Sequence, residues 1–227
     1  MRASTRLFNT ISGFAFWKQI AAAACLIGLT AAPARADDHD HIVRVEEDWV
    51  LEILSPDGGE SSPQLITAMS STNQLADVHA LFELNHRTLP EFTAGGMGLQ
   101  LWSGDTNLDQ RPTPKTEALH HANETINFTM CLEIKDGNVE FEVRNGSSTS
   151  WGTFGGQGYL KTGTSTTQHH LSLYSPTVSI ENSRIGFAKH RVKRFGILRV
   201  RYYSHGNVLE STDETDRMVH EPTVDDD

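Results

Sequence analysis

The sequence predicts an all-β chain folded as an antiparallel β-sandwich. Three observations lead there: short runs of alternating apolar and polar residues, clusters of Gly, Pro, Ser, Asn and Asp between them, and no stretch of helical periodicity. The candidate strands are Ile42–Leu54, Leu65–Ser70, Val78–Leu84, Gly98–Trp102, Thr125–Lys135, Asn138–Arg144, Gly158–Lys161, His170–Tyr174, Val178–Ile180 and Phe195–Tyr203. About 190 residues remain after the leader, enough for one buried core, so a single domain is expected over residues 42–210.

The best-defined element is the hairpin TINFTMCLEIKDGNVEFEVR. Asp136-Gly137 suits a type I′ turn, whose two central residues both need positive φ. Counting outward sets Lys135 opposite Asn138, Glu133 opposite Glu140 and Cys131 opposite Glu142. Those side chains share a polar face. Ile126, Phe128, Met130, Leu132, Ile134, Val139, Phe141 and Val143 share the apolar one, as one wall of a sandwich core must.

Residues 1–36 read as a secretory leader. Arg2, Arg6 and Lys18 precede the thirteen-residue apolar run Ile20 to Ala32, and Ala34-Arg35-Ala36 has the small-x-small form of a cleavage site. The run is short for a bilayer span, and no other segment could cross one by a helix. The chain is therefore expected to be secreted, periplasmic or on the cell surface. A polar leader, residues 37–41, and an acidic tail, residues 211–227, flank the sandwich and are expected to be disordered.

Without the leader the chain carries 15 basic and 29 acidic residues, a formal charge of −14. That balance excludes a general nucleic-acid binder, which needs a basic footprint. One cysteine remains, Cys131, so no intrachain disulfide can staple the domain. On the polar hairpin face its thiol is either exposed and able to pair between chains, or covered by another strand. Eleven histidines include the doublets His120-His121 and His169-His170, but neighbouring strand residues point to opposite faces and make no chelate. Sequons at Asn123, Asn127 and Asn145 are expected to be idle.

Two metal sites are suggested by spacing. Cleavage after Ala36 would give a chain beginning Asp37-Asp38-His39, whose amine, two amide nitrogens and imidazole form a four-nitrogen plane for copper or nickel. Asp105, Asn107 and Asp109 space three oxygen ligands for calcium, although Gln110 and Thr116 stand where an EF-hand needs Gly and Glu.

Strand count, length and two-sided sheets over about residues 42–205 resemble the concanavalin A-like lectin and glucanase jelly rolls, laminin G-like domains among them. FEVRNGSSTSWGTFGGQGYL and SPTVSIENSRIGFAKHRVKRFGILRVR are also similar to segments of exported bacterial proteins of that fold. The resemblance implies carbohydrate recognition or polysaccharide cleavage, on a fold that hosts both. Its glucanases carry a Glu-x-Asp-x-(x)-Glu strand. Here Glu140-Phe141-Glu142-Val143-Arg144 puts Glu for Asp and Arg for the last acid of the shorter form. Glu133, Glu140 and Glu142 are then either a catalytic carboxylate group or a solvated sheet face. Tyr159-Leu160-Lys161-Thr162-Gly163 is similar to an alginate-lyase strand whose partner motifs are missing. The chain also lacks His-Glu-x-x-His, Gly-x-Ser-x-Gly and phosphate-loop patterns.

Residues 145–160 combine Gly, Ser and Thr with aromatic rings. Asn145, Trp151, Gln157 and Tyr159 supply the ring plate and amides that hold a sugar, unless Trp151 and Phe154 fold back to close the sandwich. Trp49 and Trp102, within strands, are expected in the core. Residues 182–209 hold seven basic side chains and no acid. They form either an anion site or a strand paired with Glu46–Glu52. The expectation is a non-catalytic module binding an extracellular polysaccharide or glycan, possible calcium aside. A hydrolase or lyase using Glu133, Glu140 and Glu142, and a structural envelope or adhesion domain, are the alternatives.

Overall fold

A computed structural model describes residues 41–54, 62–86, 96–112 and 119–221. Its strands, in chain order, are β1 (Ile42–Ile53), β2 (Gln64–Ser70), β3 (Val78–His86), β4 (Gly96–Ser103), β5 (Thr106–Pro112), β6 (Thr125–Lys135), β7 (Asn138–Ser148), β8 (Gly152–Phe154), β9 (Lys161–Ser165), β10 (Arg184–Phe187), β11 (Val192–Ser204), β12 (Val208–Asp213) and β13 (Arg217–His220). Among the described residues one α-helix, α1 (Pro176–Asn182), lies between β9 and β10. Sheet A runs β12-β11-β1-β6-β7-β8, with β13 also on the edge of β11 and β9 on the edge of β7; sheet B runs β10-β2-β3-β4-β5. All neighbours are antiparallel. The protein is an all-β antiparallel sandwich. No helix among the described residues is long and apolar enough to cross a membrane.

The β6–β7 hairpin has the expected register, Lys135 with Asn138, Glu133 with Glu140 and Cys131 with Glu142. Asp136 and Gly137 take φ of +50° and +74°, the left-handed pair that a type I′ turn requires. Its apolar face is buried from Ile126 through Val143. Trp49 of β1 anchors this wall, its ring centroid 6.2 Å from Phe128 and 5.4 Å from Phe195. Phe82 of sheet B meets Phe128 edge-on at 5.1 Å, so aromatic contact spans the gap between sheets. Trp102 is only half-buried, and its Nε1 donates to Gln100.

Three expectations are corrected. Residues 178–180 belong to α1, where Pro176 presets the first helical φ. Residues 170–174 make a turn, closed by Tyr174 N–H donating to the Leu171 carbonyl at 3.1 Å. The tail is not disordered over residues 211–220: β12 and β13 occupy successive stretches of the β11 edge, and the domain extends past residue 210. Charge and sterics explain the docking. Arg194 binds Asp216 at 2.7 Å and Arg217 binds Asp213. Gly196 admits β13, because a Cβ there would lie 2.3 Å from the Arg217 carbonyl oxygen. The leader, the Asp37-Asp38-His39 copper or nickel motif and residues 222–227 lie outside the described residues.

Candidate functional site

The alternation that buries one side of sheet A places charges in rows on the other. Pairing aligns Arg201, Glu46, Cys131, Glu142 and Lys161 across five strands, and Arg199, Asp48, Thr129 and Arg144 in the next row. Arg201 Nη2 reaches Asp48 Oδ1 at 2.8 Å and Glu46 Oε2 at 3.2 Å, and Arg199 Nε holds Asp48 Oδ2. Thr129 Oγ1 donates to Asp48 Oδ1 at 2.8 Å. Arg44 binds Glu46 at 3.3 Å and stacks on the Tyr203 ring at 3.9 Å. Residues 182–209 therefore supply the strand that pairs with acidic β1; Lys193 likewise binds Glu52 at 3.1 Å.

Two irregularities turn this flat face into a cleft. Leu198 is an extra residue of β11 between the pairs Asp48–Arg199 and Trp49–Ile197. In β7, Asn145 and Gly146 stand against Phe128 alone, with Asn145 at φ +52°. Such bulges bend a strand and re-aim its side chains. Because Asp48 and Trp49 pair with Thr129 and Phe128, both bulges fall at one level of the sheet. Between them is an open cleft of about 520 Å³, its polar lining Asp48, Asn127, Thr129, Asn145, Arg199, Arg201 and Glu214. Asn145 Nδ2 lies 3.4 Å from Thr129 Oγ1. Glu214 comes from the tail segment between β12 and β13.

The sequence-derived candidates are distributed around this cleft. Glu133, Glu140 and Glu142 share the polar face, each facing a cation. Arg144 Nε binds Glu142 at 2.7 Å, Arg144 Nη2 is 4.0 Å from Glu133, and Lys161 binds Glu140 at 2.9 Å. The Glu140 hydrogen bond pushes the Lys161 ammonium above its usual range. Asn145 lies in the cleft. Trp151 and Tyr159 are half-buried against the core, Phe154 is buried, and Gln157 is exposed. The Trp151 ring sits 6.2 Å from Phe154, and Tyr159 OH accepts the Gly155 N–H at 2.6 Å. Of the four predicted sugar-binding residues, Asn145, Trp151, Gln157 and Tyr159, Asn145 alone is among the residues lining the cleft.

Asp105 lies in the β4–β5 turn, and Asn107 and Asp109 lie on β5. Asp109 is engaged by Thr162 Oγ1 at 2.6 Å and Arg111 Nε at 2.7 Å, with the Thr162 bond foremost in holding its carboxyl below the usual range. Among the described residues no group of three or more His, Cys, Asp or Glu side chains is arranged to hold a metal ion. His120 and His121 are exposed with ring centroids 4.3 Å apart. Cys131 is 1% exposed although it points to the polar face. Burial first, then the negative charges of Glu46 and Glu133, push its thiol up to about 12 against the opposing pull of Arg144 and Arg44.

Asn127, Thr129, Asp48, Arg199 and Arg201 were not singled out together by the sequence. The signal available was period-two spacing, Arg44-x-Glu46-x-Asp48 and Arg199-x-Arg201, but only the β1–β11 pairing gives it a common face. No protein-family model matches the chain and no curated protein matches it, so the chemistry of this cleft stands by itself.

Proposed function

We propose that this protein is an exported, non-catalytic module, of concanavalin A-like type, that binds a carbohydrate or similar hydroxyl-rich surface polymer. The observation that carries this reading is the cleft between the two bulges, lined by two amides, a hydroxyl and guanidinium–carboxylate pairs. Sugars are held by such groups when they are oriented before the ligand arrives. Here Asp48 fixes Arg199, Arg201 and Thr129 in advance. Asn127 and Asn145 are exposed beside them. A glycosidase needs one carboxyl in surroundings that favour its protonated form. Glu133, Glu140 and Glu142 instead face Arg144 and Lys161, which favours binding over cleavage.

The test is affinity electrophoresis through neutral and acidic polysaccharides, with calcium and with chelator, while each polymer is assayed for new ends. Selective retardation without new ends is expected. Asn127→Ala and Asn145→Ala should each weaken it about tenfold, the loss of roughly one hydrogen bond. New ends abolished by Glu140→Gln would replace this reading with a hydrolase or lyase. No retardation across the panel would replace it with a structural module.

A further inference from the structure

Glu47 is on the wrong side of β1. It stands between Val45 and Trp49 in the core-facing series, with 0% of its surface exposed. Trp49 Nε1 donates to Oε2 at 3.0 Å; Tyr174 OH and Ser179 Oγ donate to Oε1 at 2.7 and 2.5 Å. The first partner is on the same strand, the second in the turn before α1 and the third on α1 itself. Tyr202 of β11 packs on Tyr174 with centroids 6.0 Å apart. Arg217 of β13 contributes a positive field, but its guanidinium is bonded to Asp213 at 2.5 Å and to the Thr215 carbonyl at 2.9 Å.

Among the described residues this carboxyl therefore has three donors and no bonded cation. The donors favour its charged form, and the dry surroundings favour its neutral form. Its partners also hold together the sandwich layers. α1 is tied to sheet A through Ser179 and Glu47, and its C-terminal Ser183 Oγ accepts the Ala68 N–H of sheet B at 3.0 Å. The preceding turn is anchored by Leu171 N–H on the Ile42 carbonyl at 2.7 Å.

We propose that residues 171–183 form a pH-sensitive clasp between the two sheets, with Glu47 as its trigger, closed in acid and opening more readily as pH rises through neutrality. Burial pushes the Glu47 carboxyl up to about 7, against the pull of Ser179, Tyr174, Trp49 and Arg217. Lifting the clasp admits water and returns the group towards 4.5, its ordinary value. Opening then releases a proton, so the opening constant is flat below the ordinary value, rises between the two values and is flat again above both. Between pH 5 and pH 8 this amounts to about 70-fold.

Hydrogen exchange of residues 171–183, corrected for intrinsic rates at each pH, tests the proposal on the intact protein. The segment should exchange by an opening less costly than that of the β6–β7 hairpin, and its opening constant should rise tens-fold from pH 5 to pH 8. Glu47→Gln should abolish the rise. Tyr174→Phe, which removes one donor but no charge, should leave the onset of the rise in place and extend its upper end to higher pH, and decides the matter should the Gln variant not fold. A change under threefold in the parent, a rise that persists in Glu47→Gln, or exchange only at the hairpin's rate would overturn it.

Discussion

Replacing Gly196 by alanine should detach the last strand while leaving the sandwich folded. The added Cβ would lie 2.3 Å from the Arg217 carbonyl oxygen, 2.7 Å from Met218 Sδ and 2.8 Å from Met218 Cα. Two of those atoms are backbone and cannot rotate away. Restoring ordinary contact requires β13 to retreat by about 1 Å, which stretches ladder hydrogen bonds beyond their working range. The retreat would also strain the contacts flanking the ladder, His220 Nε2 with the Val192 carbonyl at 2.9 Å and Arg194 with Asp216 at 2.7 Å. Counting about 1 kcal/mol for each of two or three hydrogen bonds, and little for the exposed ion pair, docking of β13 weakens by about 2–3 kcal/mol. Trypsin cleavage after Arg217 reads this directly, since it follows the population of the open segment. The rate should rise by at least about 30-fold. Hydrogen exchange of the β6–β7 hairpin should scarcely change. An unaltered cleavage rate would refute the claim that a glycine is needed for β13 to pair.

Three further outcomes are expected. Phe82→Ala removes a ring 1% exposed that bridges the sheets to Phe128, and should lower stability by about 3–5 kcal/mol in urea unfolding. Asp48→Ala removes the carboxylate that holds Arg199, leaves Thr129 only Asn145 and leaves Arg201 only Glu46. It should cost about 2 kcal/mol and shift retention from neutral towards sulfated polymers; unchanged retention on both would count against the cleft. Burial pushes the Glu124 carboxyl up, but hydrogen bonds from Ser148 and Ser150 outweigh it and hold it below the usual glutamate range. Its stabilisation is therefore present above the ordinary glutamate pKa and lost as pH falls through the lower folded value, so the stability gap between parent and Glu124→Gln should narrow from pH 7 to pH 3.

The parts of this fold written in local pattern were legible in the sequence. Asp136-Gly137 and two flanking alternating runs suffice for a hairpin, its register and its two faces. The cleft was not legible, because a bulge appears only when a strand is counted against its partner. Leu198 looks like any strand residue until Asp48 and Trp49 are set beside it. The same holds for β13, whose place depends on one glycine some twenty residues earlier. α1 was obscured by three residues, Val178, Ser179 and Ile180, with strand-like composition, although Ser175-Pro176 is a helix-start signal. Glu47 shows the converse. Its type argued for the solvent side, but the alternation of β1 and the donors of Tyr174 and Ser179 place it inside.

The covering of Cys131 makes that thiol a clock for the whole domain. With its titration pushed up to about 12, the folded protein holds almost no thiolate near neutrality, and 1% exposure bars a reagent in any case. An unfolded chain has an ordinary, accessible cysteine. The rate at which an excess of thiol reagent labels Cys131 should therefore equal the frequency with which the central strands part, giving the protein its own timer of global opening.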